Sequence, residues 1–297
     1  MRLYVIGMEG QVARALREAA TDHPDMVVGY AGRPDIDILR PDLVEKRLAA
    51  FAPDLVINPA AYTAVDRAES EPELAFAVNR DGAGNVAAAA GRIGVPIVHL
   101  STDYVFDGNK DAPYVETDPV APMGVYGQSK FAGECAVAAA NDRHIILRTS
   151  WVYAPFGNNF VRTMLRLSVE RDRLTVVNDQ VGCPTYAPDI ANAIMTIAGR
   201  IESANWQGHF AGVTHLAGPD EITWYDFARK IISFSNEKIG RNIAVDPIST
   251  EQYPTAAPRP ANSRLCCDRL ASIFEVRLPP LDPSLEKCLE HLLGSQH

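Results

Sequence analysis

The 297-residue sequence predicts an α/β fold: a Rossmann-type doubly wound parallel sheet with a smaller, discontinuous C-terminal α/β part. Three observations predict it. Short Val- and Ile-rich runs alternate with helical stretches through the first half, a glycine turn follows the first run directly, and the rhythm breaks after Trp151.

Residues 2–6, 26–30, 54–58, 97–101 and 145–149 read as buried strands. Between them, 11–20, 44–50, 73–93 and 125–140 carry helix formers with apolar positions three and four apart. Such a sheet has its ligand crevice beyond the carboxyl ends of the strands, where Gly7, Asn58 and Ser101 fall. Farther on, 158–170, 187–198, 222–234 and 283–293 read as helices and 174–177 as a strand. Residues 209–216 read as a strand returning to the main sheet, and 247–260, with prolines at 247, 254, 258 and 260, as an extended loop. The expected division is a dinucleotide domain of residues 1–150 plus about 186–216, and a substrate domain of 151–185 and 217–297.

Composition excludes several classes. A formal charge of −9 without a basic run argues against nucleic acid. Five cysteines without Cys-x-x-Cys spacing argue against a disulfide framework or zinc site and fit reduced thiols. The apolar start at residues 1–6 is too short for a signal peptide or membrane span, so a cytoplasmic location and no membrane contact are expected.

Gly7-Met8-Glu9-Gly10-Gln11-Val12-Ala13 follows the first strand and opens a helix, the arrangement in which glycines let a pyrophosphate approach helix amides. Near the end of the second strand, Arg33 suits a ribose 2′-phosphate, whereas Asp35 or Asp37 suits a free 2′-hydroxyl. NADPH and NADH therefore both stay open. Asn58-Pro59-Ala60-Ala61-Tyr62-Thr63 ends the third strand with small residues, and Asp66 or Glu69 can border the pocket. At the next strand end, Ser101, Thr102 and Asp103 are candidate polar contacts, with Tyr104 either core or pocket.

Tyr126 and Lys130 stand four residues apart and share a helix face. A cation beside a phenol stabilises its phenolate and brings proton exchange with an alcohol oxygen within reach. Trp151 is placed to cover a sugar ring; Asn158 and Gln180 offer amides, and Arg259 or Arg264 suits an anionic substrate.

Together these residues resemble the extended short-chain dehydrogenase/reductase family and, within it, the dTDP-4-dehydrorhamnose reductase family. The likeness runs through 7–12, 60–66, 101–106, 126–130, 148–153, 157–160, 178–180, 223–225 and 259–265, nearly the whole chain. It implies Tyr126 as proton donor to a C4 keto oxygen, Lys130 on the nicotinamide ribose and tuning Tyr126, and Thr102 at the reacting oxygen. It implies cofactor contacts at Gly10, Gln11, Val12, Asp37, Ile38, Ala61, Tyr62 and Thr63, which join Gly7, Arg33, Ala60 and Ser101 as candidates by position. It implies a dTDP-sugar substrate at Thr102, Asp103 and Trp151, which Tyr104, Asn158, Gln180, Arg259 and Arg264 join as further substrate candidates.

Two departures from the family pattern stand out. Ala13 replaces a usual glycine, and Ala15 and Pro188 stand where acidic residues that bind Mg²⁺ at a dimer contact are expected. No metal, and a monomer or a different homodimer, follow. Dehydratases of the same fold carry Asp-Glu after the threonine; here Asp103 is followed by Tyr104, which favours reduction. A non-catalytic alternative is an NADP-binding regulatory subunit like that of methionine adenosyltransferase, and a further one is another sugar-nucleotide ketoreductase or epimerase.

Overall fold

The computed structural model describes residues 1–240 and 242–294; residues 241 and 295–297 of the expected C-terminal part lie outside the described residues. In chain order, β1 (Arg2–Ile6), α1 (Gln11–Ala19), β2 (Val27–Ala31), α2 (Pro41–Phe51) and β3 (Leu55–Asn58) lead to α3 (Val65–Ala68) and α4 (Pro72–Phe76). A π-helical segment (Ala77–Gly82) joins α4 to α5 (Ala83–Arg92); β4 (Ile97–Thr102), α6 (Val125–Ala140) and β5 (His144–Thr149) follow. The second half holds β6 (Val152–Tyr153), α7 (Phe160–Glu170), β7 (Arg173–Val177), β8 (Val181–Gly182), β9 (Thr185–Tyr186), α8 (Ala187–Ala204) and β10 (Gly212–His215). It ends with β11 (Ile222–Thr223), α9 (Trp224–Ile239), β12 (Ala244–Ile248), β13 (Asn262–Ser263), α10 (Asp268–Phe274) and α11 (Leu281–Gly294).

The main sheet runs β10-β5-β4-β3-β1-β2, and every pairing in it is parallel. Strands covered on both faces need apolar residues throughout, which is why β3 and β4 are buried at every position. On one face α1, α8 and α10 pack through Leu16, Ile194 and Phe274; on the other α2, α5 and α6 pack through Leu48, Val86 and Val137. The expected returning strand is β10, which lies beside β5 with His215 opposite Arg148. A separate core around Phe227, Ile231 and Leu289 gathers α7, α9, α11 and β7.

Two expectations change. The helix expected over 73–93 is broken by the π turn at 77–82, because Gly133 of α6 comes so close that a Cβ there would lie 2.1 Å from the Asn79 carbonyl oxygen. Pro247, expected in a loop, sits in β12, which pairs in parallel with β7. In that two-stranded sheet both strands are edges, where a residue without an N–H is tolerated.

Candidate active site

A cleft of about 900 Å³ opens along the carboxyl ends of β1, β3, β4 and β5. Gly7 turns the chain out of β1 with φ +133°, a conformation side chains rarely adopt, and its N–H donates to Ala31 at 2.7 Å. Gly10 is the N-cap of α1, and a Cβ on it would meet nothing within 4 Å, so open space faces the helix amides. The Gln11 side chain points away from that space: Asn159 Nδ2 donates to its Oε1 at 2.9 Å. Any anion contact from Gln11 or Val12 therefore comes from the backbone N–H. Ala60, Ala61 and Thr63 form one wall, and Arg33, Asp37 and Ile38 the far end.

Tyr126, Lys130 and Thr102 converge at the other end. Tyr126 lies in the first turn of α6, whose N-terminus is capped by Glu69 accepting the Val125 N–H at 2.8 Å. Tyr126 and Tyr104 meet edge to face, centroids 5.5 Å apart. Burial pushes the Tyr126 phenol up to about 12, with hydrogen bonding to Thr102 holding it down and Asp103 raising it. Lys130, expected beside the phenol, donates from Nζ to the Leu100 carbonyl at 2.6 Å, and burial lowers its pKa to about 8 against the raising effect of Glu134. Thr102 caps the short turn at 103–105 by accepting the Tyr104 N–H at 3.2 Å, and its hydroxyl donates to Asp103 at 2.9 Å. The Ser101 hydroxyl turns inward to Glu134 at 2.5 Å, leaving that residue's backbone to face the cleft.

Asp103 is 3% exposed. Burial raises its pKa from 3.8 to about 6, with the Ser263 and Thr102 hydroxyls offsetting part of the rise. Because the folded value lies above the unfolded one, the carboxyl favours the fold at low pH and costs stability as pH rises through about 6. Asp103→Asn is therefore expected to stabilise the chain at neutral pH by on the order of 2 kcal/mol, and hardly at all below the ordinary carboxylate range. Thermal unfolding of both chains against pH checks this; coincident midpoints at neutral pH would contradict it.

Trp151 reaches the cleft with φ +46° and stacks on Trp224 with centroids 3.4 Å apart; Gly182 lies so close that a Cβ there would come within 2.3 Å of the ring. Asn158 is exposed at the rim. Four candidates do not line the cleft. Tyr62 donates its hydroxyl to Glu71 at 2.6 Å, and Gln180 donates to Thr250 at 2.9 Å. Arg259 pairs with Asp66 at 2.7 Å, and Arg264 with Glu221 at 2.8 Å. In each case a side-chain partner outside the cleft lining holds the side chain.

Several residues went unread in the sequence. Thr149, at the end of β5, lines the cleft with a buried hydroxyl that has no hydrogen-bond partner among the described residues. Buried hydroxyls without partners are costly, so this one marks a place for a ligand atom. Leu39, Leu74 and Val78 give the far end an apolar slot. Asn79, buried in the π turn, accepts the Tyr62 N–H at 2.8 Å and donates to Ser129 at 2.9 Å, tying the 60–63 loop to α6. No signal short of the fold itself marks Asn79.

The glycine cradle, the small wall at 60–61, the apolar slot and the unpaired Thr149 hydroxyl fit a dinucleotide. Among the described residues no group of three or more His, Cys, Asp or Glu is placed to hold a metal ion. Ala15 is buried in the core that α1 shares with α8, and Pro188 opens α8. The five cysteines are free thiols, and no described helix is long and apolar enough to cross a membrane.

A parallel sheet with a glycine turn, and a Tyr–Lys helix meeting a threonine at a strand end, define a dinucleotide-dependent oxidoreductase of the short-chain type. The family described as RmlD substrate binding domain matches residues 1–293. A dTDP-4-dehydrorhamnose reductase from Sinorhizobium fredii is 51% identical over 293 residues, 99% of this chain and 98% of that one. One from Escherichia coli K12 is 39% identical, with 98% of each chain covered. Among solved structures, the Clostridium acetobutylicum dTDP-4-dehydrorhamnose reductase superposes with TM-score 0.89 at 36% identity, covering 98% of this chain and 99% of that one. The Bacillus anthracis enzyme, solved in complex with NADP, gives 0.87 at 34% identity, with 99% of each covered. The chain belongs to the dTDP-4-dehydrorhamnose reductase family.

Proposed function

We propose that this protein reduces the C4 keto group of dTDP-4-dehydro-6-deoxy-L-mannose, that is dTDP-4-dehydro-L-rhamnose, to give dTDP-L-rhamnose. The observation that carries the reading is the convergence of Tyr126, Lys130 and Thr102 in one cleft with the Gly7–Val12 turn, while Tyr104 fills the place of a dehydratase's second carboxylate. The bound nicotinamide dinucleotide supplies the hydride. Tyr126 supplies the proton: its Oη–H bond breaks as the substrate O4–H bond forms, and the Thr102 hydroxyl, on turning its proton from Asp103, steadies the same oxygen. The Lys130 ammonium has donors beyond the one spent on Leu100, which suits ribose hydroxyls and the phenolate left on Tyr126. Residues 1–150 with 186–216 hold the dinucleotide in this reading, and 151–185 with 217–297 hold the sugar nucleotide, in a cytoplasmic monomer or homodimer.

Supplying the ketosugar nucleotide with NADPH and following nicotinamide absorbance tests the proposal. A folded chain that oxidises no NADPH would sink it and return the regulatory-subunit alternative.

The geometry also bears on the choice of dinucleotide. Asp37 spends one carboxylate oxygen on the Leu39 N–H at 2.9 Å, whereas Arg33 stands exposed at the same end of the cleft. Arg33 then favours the 2′-phosphate of NADPH. Arg33→Ala is expected to raise KM for NADPH roughly tenfold, the loss of about 1.4 kcal/mol, and to leave KM for NADH nearly unchanged. Equal effects on both would refute this assignment.

A further inference from the structure

The helix that carries Tyr126 and Lys130 places a third polar residue at the next four-residue step. Glu134 shares their face, turned to β4 and β5, and it is 3% exposed, as is Arg148; Lys130 is 2% exposed. Arg148 Nε and Nη2 donate to the two Glu134 oxygens at 2.9 and 2.7 Å, and the Ser101 hydroxyl donates to Oε1 at 2.5 Å. Leu100, the residue before Ser101, accepts from Lys130. Two adjacent residues at the cleft end of β4 are thus pinned by two residues one turn apart on α6, and Arg148 extends the pin to β5, where it stands opposite Ser101.

We propose that Glu134 is a positioning residue for the reduction, the group that fixes the strand ends below the cleft and keeps the Lys130 ammonium charged where the dinucleotide and Tyr126 need it. The assignment rests on the reductase reading of this cleft.

The charge balance supports it. Two cations, Lys130 and Arg148, lie buried beside the Glu134 carboxylate. The histidines beside them bring no countercharge: burial and the nearby Lys130 push His99 well down, and burial and Arg148 lower His215 to about 3. Around Lys130 the other ionisable groups are Tyr126 on α6, His99 on β4 and Asp103 in the turn after it. Arg80 and Asp81 of the π segment are exposed and pair with each other. Burial pulls Lys130 down to about 8, and Glu134 is the neighbour that opposes it. A carboxylate that only stapled Arg148 into the core would not matter to Lys130.

The test is NADPH affinity, followed by its fluorescence across the neutral and alkaline range on the full-length chain. In the wild type the affinity should bend downward as pH passes about 8, where the ammonium is lost, and Lys130→Met should remove the bend. Glu134→Gln should move the bend down by about one pH unit or more. Glu134→Gln with Arg148→Met removes the buried ion pair as a unit, leaves no orphaned guanidinium and should fold, with its bend below that of Arg148→Met alone. Arg148→Met alone frees Glu134 for Lys130 and should move the bend up. A double variant whose bend matches that of Arg148→Met alone overturns the proposal, as does an Arg148→Met bend that stays or falls. A chain that shows these shifts but leaves the ketosugar unreduced refutes the reductase reading and not the hold of Glu134 on Lys130. Reduction with a bend indifferent to Glu134 does the reverse.

Discussion

Tyr126→Phe is expected to bind the dinucleotide as the wild-type chain does and to lose roughly 10²–10⁴-fold in turnover. The substitution removes one oxygen and leaves the ring, so the edge-to-face contact with Tyr104 at 5.5 Å persists and the start of α6 keeps its place. With its pKa raised to about 12, the phenol is fully protonated at neutral pH and available as an acid. Its weakness as an acid is what Thr102 and Lys130 must overcome at the moment of transfer. The two readings to compare are kcat and the dissociation constant for NADPH. A variant with near-wild-type kcat would show that another group supplies the proton; one that no longer binds NADPH would show that the hydroxyl is a structural anchor.

Gly127→Ala should be nearly as damaging, and for a steric reason. A Cβ at this position would lie 2.2 Å from the Tyr104 carbonyl oxygen and 3.1 Å from Pro122. The oxygen belongs to the backbone of the turn that follows Thr102 and Asp103, so it has little room to give. Either α6 withdraws with Tyr126, or the turn withdraws with Thr102. A displacement of about 1 Å between reacting groups costs on the order of 10² in rate. Overpacking of this kind also costs about 1–3 kcal/mol of stability. We expect kcat/KM to fall by about that rate factor, with a lower unfolding temperature, while Gln128→Ala on the exposed side of the same turn changes little. Wild-type kcat in Gly127→Ala would mean that the helix and turn are not rigidly apposed.

What the sequence made readable was what neighbours along the chain decide. The first five strands of the main sheet show as Val- and Ile-rich runs, and their observed ends fall within a residue of expectation, whereas β10 starts three residues later than expected. Gly7–Val12, Thr102 and the Tyr126–Lys130 step are local too: each is a strand end or a single helix face. Side chains whose partners arrive from far along the chain could not be placed in this way. Arg259 and Arg264 read as anion binders because a free guanidinium is one, yet Asp66 and Glu221 claim them. Gln180 was assigned to substrate, whereas it closes on Thr250. Glu134 sat in plain view four residues past Lys130, but only the packing of β5 against β4 shows that Arg148 reaches it. The π turn was illegible because residues 73–93 favour helix throughout, and the slip is imposed by the close approach of Gly133.

That turn sets a gauge for the whole cleft. Asn79 within it grips the 60–63 loop at Tyr62, and a few residues on, Gly82 abuts Ile38 while Asn85 donates to the Ile38 carbonyl at 2.9 Å. One continuous rod therefore holds one wall of the cleft and its far end, and its rise per residue fixes the span between them. Without the extra residue of the slip, the two grips would be out of phase by about 100°, a single residue's rotation. The distance between these two parts of the cleft lining is thus set along a helix rather than across the sheet.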